Sequence, residues 1–145
     1  MVVVIIVGIA AAVVIPNAIN TTDLQALSAA RMLVADLQYA QDTAITTQTT
    51  VTVLFDTSQE RYRLTNTSGS LIHPITKEAY QVDFRAMRGF RDVNIVSASF
   101  SGAASVTFDE MGTPSAAGTV VLRAGPHVFT ISVAAVTGTV TATRS

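Results

Sequence analysis

Few side chains in this chain have the types and spacing to do chemistry. His73 and His127 are its only imidazoles, and neither stands in a ligand spacing such as His-Glu-x-x-His. The simpler reading of each is a satisfied or exposed histidine. Asp109-Glu110 precede Gly112 and offer two carboxylates to a cation. Ca²⁺ takes about six to eight oxygens, so the pair reads better as turn polarity. There is no cysteine, which excludes a disulfide framework, a thiolate metal site and a thiol nucleophile. No glycine-rich phosphate loop or nucleophile elbow occurs. Neither enzyme activity, a cofactor nor a bound metal is expected. Asn20-Thr21-Thr22 and Asn66-Thr67-Ser68 fit the N-x-[ST] acceptor pattern, which matters only where glycosylation machinery exists.

One cluster has more content. Arg85, Arg88 and Arg91 fall three apart and are interleaved with Phe84 and Phe90. Basic groups beside aromatics suit single-stranded DNA, where cations neutralise phosphates and rings stack on bases. Against that stand the small size of the cluster and a formal net charge of -1, which supplies no general attraction to a polyanion. The plainer alternative is a polar loop anchored to a sheet by its two phenylalanines, with its arginines solvated or paired.

The elements that would position these residues begin with a greasy stretch. Val2-Val3-Val4-Ile5-Ile6-Val7 lead into Gly8, then Ile9, Ala10-Ala11-Ala12 and Val13-Val14-Ile15 before Pro16. A helix apolar all round needs lipid or other apolar helices as partners. About fifteen residues cover roughly 22 Å, short of a bilayer core of about 30 Å. The stretch is a slightly truncated membrane span, a signal-peptide core or a buried helix. Pro16 lacks an N–H and crowds the carbonyl of Ala12, so a helix must kink or open there. A signal peptide would need a basic n-region, which is absent here.

From residue 23 to about residue 46 the helical period returns. Ala26, Ala30, Leu33, Leu37, Ala40 and Ala44 share one face, and their small size would let a sheet approach. Gln25, Arg31, Asp36, Gln38, Gln41 and Asp42 are expected largely away from that face, and Asp23 could cap a restarted helix. Residues 47–145 read as strands. Val51, Val53 and Phe55 alternate with threonines, a turn follows at Asp56-Thr57-Ser58-Gln59, and Tyr62 and Leu64 continue a hairpin. Residues 71–100 are the least legible. Strand signals return near Val106, over residues 119–123 and 127–133, and over residues 139–143. With 145 residues the chain makes one domain with a sizeable core. The expected class is α+β: a long N-terminal helix, apolar then amphipathic, packed on a C-terminal antiparallel sheet or small sandwich.

The N-terminal pattern resembles that of type IV pilins and type II secretion pseudopilins. Their apolar run contains a Gly and reaches an Ala-Ala-x-x-x-Pro boundary, here Ala11-Ala12-Val13-Val14-Ile15-Pro16. The family's leader, a basic stretch with a cleavage-point Gly and then Phe-Thr-Leu-x-Glu, is expected just upstream of Met1. Residues 28–41 (SAARMLVADLQYAQ) and the hairpin over residues 51–64 are similar to the GspH/FimT family of pseudopilins. So are Val106-Thr107-Phe108-Asp109 with Gly112 and Pro114, Thr119-Val120-Val121-Leu122, and Thr137-Gly138-Thr139-Val140. The resemblance implies a pilin-like fold in a structural subunit. Residues 1–22 would be its membrane and filament-core helix, and residues 23–145 its globular domain. Such a subunit is stored in the bacterial inner membrane, then polymerises with copies of itself or other pilins into a periplasmic or extracellular filament. A prepilin peptidase and an assembly ATPase with its platform are the implied machinery. A tip subunit binding DNA or a secreted substrate is the first alternative, since some FimT-like proteins are associated with DNA uptake. An exported β-rich domain behind a signal peptide is the second.

Overall fold

A computed structural model describes residues 21–145. The apolar stretch with Gly8 and Pro16 lies outside the described residues, and no helix among those described is long and apolar enough to cross a membrane.

Helix α1 (Thr21–Thr47) extends slightly past both expected boundaries. Ala26, Ala30, Leu33, Leu37, Ala40 and Ala44 are buried, and Ala29 joins them. The helix ends at Gln48, which takes a left-handed conformation (φ 53°). The Thr49 N–H then reaches back to the Ala44 carbonyl at 3.3 Å, a Schellman closure. A glutamine fills the position usually held by glycine, and its own Nε2 donates to the Ile45 carbonyl at 2.6 Å.

The strands form two antiparallel sheets rather than one. In the first, β1 (Val51–Asp56) pairs with β2 (Arg61–Asn66) on one side and β6 (Ser105–Phe108) on the other. The outer edge of β2 is shared by β3 (Gly69–Ser70) and β4 (Gln81–Asp83). The second sheet has the order β5 (Val93–Phe100), β7 (Gly118–Ala124), β8 (His127–Val133) and β9 (Val140–Arg144). Alternation puts Val51, Val53, Phe55, Tyr62, Leu64, Val106 and Phe108 inside from the first sheet. Val120, Leu122, Ala124, Phe129, Ile131 and Val133 come from the second. Phe55 and Phe100 stack across the two layers, with ring centroids 6.0 Å apart. Helix α1 contacts strands of both sheets.

Residues 71–100 show why they resist a period-two reading. The register of β5 shifts between Ile95 and Ser97, a bulge that leaves Val96 facing solvent and breaks the alternation. The buried Glu60 carboxylate accepts the Ile95 N–H at that point. Val93 donates to the Phe90 carbonyl and Phe100 to that of Ala103. This edge strand is therefore closed at three places against stray pairing.

Three polar residues of α1 depart from expectation. Gln25 and Asp36 are buried, and Gln41 donates from Nε2 to the carbonyls of Gly112 (2.8 Å) and Thr137 (2.9 Å). They lie on the packing face because each stands three or four residues from an apolar member of the stripe. Asp23 sits inside the helix and pairs with Arg144 at 3.1 Å instead of capping a restart.

Gln41 also explains a glycine. Gly138 has φ 68°, and a Cβ there would press directly on the Gln41 amide. Gly102 has a similar backbone, but a Cβ would meet open space. Gly138→Ala is expected to cost about 2–3 kcal/mol of stability and Gly102→Ala about 1 kcal/mol. Denaturant unfolding of the full chain in detergent measures both; equal costs would contradict the close approach.

Candidate assembly surfaces

The packing face of α1 carries a carboxylate at its centre. Tyr62 of β2 donates its hydroxyl to Asp36 Oδ2 at 2.5 Å, and Tyr80, just before β4, donates to Oδ1 at 2.6 Å. Burial pushes the Asp36 carboxyl up from its ordinary 3.8, opposed by the two hydroxyls and by the nearby His73. Both tyrosine hydroxyls are pushed up in turn, first by burial and then by the neighbouring carboxylate. The Tyr80 ring lies against Tyr39 at 5.2 Å and His73 at 4.5 Å. A cavity of about 360 Å³, lined in part by Met32, Asp36, His73, Glu78 and Met87, opens beside the cluster. Both Asp36 oxygens are already accepting, so the group serves as a structural acceptor between helix and sheet.

The remaining polar candidates have local tasks. His73 Nδ1 accepts the N–H groups of Ile75 (3.1 Å) and Thr76 (3.3 Å). His127 Nδ1 faces Asp23 Oδ1 at 3.5 Å and Arg144 at 3.1 Å. Asp109 Oδ1 accepts from the N–H groups of Met111 and Thr113, both at 2.9 Å, shaping a turn. Among the described residues no three His, Cys, Asp or Glu side chains are grouped to hold a metal.

The structure places Arg85, Arg88 and Arg91 on one exposed loop between β4 and β5. Gln25 fixes that loop beside the first turns of α1, giving from Nε2 to Asp92 Oδ2 (3.3 Å) and accepting the Asp92 N–H (3.2 Å). Phe84 is fully buried, with Tyr62 edge-on at 6.0 Å and Phe90 at 5.9 Å. One of the two rings that nucleobases would need is thus spent on the core, and the other, Phe90, is half-buried against it. Sequence reasoning passed over Gln25, Asp36 and Gln41. Their three- and four-residue spacing from Ala29, Leu33 and Leu37 was the available signal.

A spine helix laid on two antiparallel sheets defines the pilin-like α+β class. The chain belongs to the GspH family: the family model described as Type II transport protein GspH matches residues 29–138. The minor pseudopilin EpsH from the Type 2 Secretion System of Vibrio cholerae has a similar structure. Its TM-score is 0.64 at 13% identity, covering 83% of this chain and 97% of that one. The type IV minor pilin FimU of Pseudomonas aeruginosa gives a TM-score of 0.56 at 22% identity, covering 80% of this chain and 86% of that one. A comparison with curated proteins returns no match. Family membership makes this chain a subunit of a pseudopilus or pilus, and the family is a structural one.

Two outcomes follow from this geometry. Raising the folded-state pKa of Asp36 means that the folded chain binds its proton more tightly than the unfolded one. Relative to Asp36→Asn, the wild type is therefore expected to be most stable below about pH 3.8. It should lose that advantage as pH rises through the raised value. Denaturant unfolding of both chains across the acid range measures this, and a difference running the opposite way contradicts the burial argument.

The arginine loop has its own test. With Phe84 inside, little binding to single-stranded DNA is expected at physiological salt. Tight binding that weakens with salt, with a log–log slope that flattens by about 2 in an Arg85→Ala/Arg88→Ala/Arg91→Ala chain, would overturn that view.

Proposed function

We propose that the chain is held in the bacterial inner membrane by residues 1–22 and enters a helical filament through the same residues. Residues 23–145 would then be carried as the head. The observation that carries this reading is the GspH match across most of that head, beginning inside a helix that follows a run apolar all round from Met1 to Ile15. The filament is of the type IV pilus or type II pseudopilus kind, periplasmic or extracellular. A prepilin peptidase and an assembly ATPase with its platform would process and load it. Catalysis has no part in the reading.

Assembly exchanges lipid for other apolar helices, so hydrophobic burial changes little and close packing must hold the contact. Gly8, Ala10, Ala11 and Ala12 give a small-residue face for that approach. Between Gly8 and Pro16 the helix would also be weakest, one residue lacking a Cβ and the other an N–H. That interval is proposed to bend or extend in the filament.

The wild-type chain is expected to fractionate with membranes and to need detergent. Val7→Asp or Ala11→Asp should block assembly while far-ultraviolet circular dichroism shows the head still folded. A full chain that is soluble and monodisperse without detergent contradicts membrane storage, and normal filaments from either variant contradict the packing claim.

A further inference from the structure

The two ends of α1 carry unlike surfaces. At its C-terminal end, Ile45, Met111 and Val136 are large, apolar and exposed, the last two by 85% and 75%. Gln41 joins them into one surface, because its amide holds the β6–β7 loop at Gly112 and the β8–β9 loop at Thr137. Gly112 completes the join: a Cβ there would lie 2.7 Å from Ile45 Cδ1. Val136 is held at φ 66°, a region that β-branched residues avoid. The turn that fixes it is closed by Thr137 N–H to Ala135 O (2.7 Å) and Gly138 N–H to Ala134 O (3.1 Å). A strained backbone thus holds this apolar side chain in solvent.

The surroundings of the patch are acidic. Asp42 is a surface neighbour of Ile45 at the i, i+3 spacing, and Asp109 and Glu110 precede Met111. The last turn of α1 holds no basic residue, so no cation within it offsets the negative end of the helix dipole. At the other end the free charges are basic, because Asp83 accepts backbone N–H groups, Asp92 accepts from Gln25 and Asp23 pairs with Arg144. Beside the first turns of α1 stand Arg85, Arg88 and Arg91, exposed and without an ion pair among the described residues. Leu24 lies nearby, 45% exposed. From Gln25 to Ile45 the helix rises about 30 Å, so the two surfaces of one molecule cannot meet each other.

We propose that the Ile45–Met111–Val136 surface seats on the 84–92 loop and Leu24 of a second copy, with Asp42 and Glu110 facing Arg88 and Arg91. The occupant is another copy because this chain carries both an acid-rimmed apolar end and a basic end with an exposed leucine. Such a contact is head to tail and does not close, so it generates a helical row. Apolar burial holds it and the charges set its direction. The inference rests on the filament-subunit reading and supplies that reading with a contact between heads.

The absence of native cysteine makes the test direct. In the full chain, Val136→Cys with Arg88→Cys is treated with a short bis-maleimide in assembled material, beside a Val7→Cys control for the apolar segment. A ladder of oligomers is expected from the double variant, and a cross-linked dimer from the control, whose single thiol can be joined only once. Neither Val136→Cys nor Arg88→Cys alone should give a cross-linked dimer. Adding Arg85→Glu and Arg91→Glu should lower the ladder yield at least tenfold, and further adding Asp42→Arg and Glu110→Arg should restore it. A Val7→Cys dimer with no ladder from the double variant overturns the proposal while leaving the subunit reading intact, and no cross-link anywhere overturns both. The proposal also fails on any of three further results: a cross-linked dimer from Val136→Cys by itself, charge reversal without rescue, or a nuclease-sensitive ladder that shows the arginines holding DNA.

Discussion

One helix face has to serve two sheets at once, and the rest of the structure follows from how it does so. Where both sheets come close, the face carries Ala26, Ala29, Ala30, Ala40 and Ala44, and Leu33 and Leu37 fill the space between. Alanine keeps helix propensity high while letting backbones approach. Larger side chains there would separate the layers and open the core that Phe55, Phe100 and Phe108 fill. Packing alone fixes no register along such a smooth face. Three polar side chains supply it. Gln25 holds the segment entering β5, Asp36 holds Tyr62 and Tyr80, and Gln41 holds two loops beyond β6 and β8. Asp36 and its two tyrosines satisfy groups that burial would otherwise leave unpaired, which costs more than a single hydrogen bond gains.

That division explains what could be read from the residues. The alanine–leucine stripe and the alternation of Val51, Val53, Phe55, Tyr62 and Leu64 are periodic, and periodicity reports which face is apolar. The hairpin at Asp56 was legible for the same reason, with Asp56 Oδ1 accepting from the Ser58 and Gln59 N–H groups as a turn aspartate does. Gln25, Asp36 and Gln41 were not, because polarity by itself argues for solvent and their partners lie 26 to 96 residues away in sequence. The β5 bulge hid a strand for a different reason: one extra residue reverses the inside–outside pattern halfway along. Arg85, Arg88 and Arg91 were visible as a cluster, but the inward turn of Phe84 depends on tertiary packing with Tyr62.

The same helix links the head to the assembly reading. Upstream of it Pro16 to Asn20 lead back to a run that is apolar all round as far as Ile15, so a rigid head would be carried close to the segment proposed to pack in the filament. Rigidity matters here because a helix tied at three points along its length transmits position from one end to the other. The acidic, apolar C-terminal end and the basic N-terminal end would then stand at a fixed separation. Identity to EpsH and FimU is only 13% and 22%. The shared fold therefore tolerates wide exchange of side chains.

The central claim is that α1 is the spine on which both sheets depend, and native-state hydrogen exchange on the full chain in detergent tests it most directly. The account expects the amides of residues 29–44 to exchange with the same opening free energy as those of β7 and β8, through global unfolding. It also expects Leu37→Ala, which opens the packing face at a fully buried position, to lower the helix and both sheets together. Helix amides that open at lower free energy while β7 and β8 stay protected would show that the sheets hold themselves and that the helix merely rests on them.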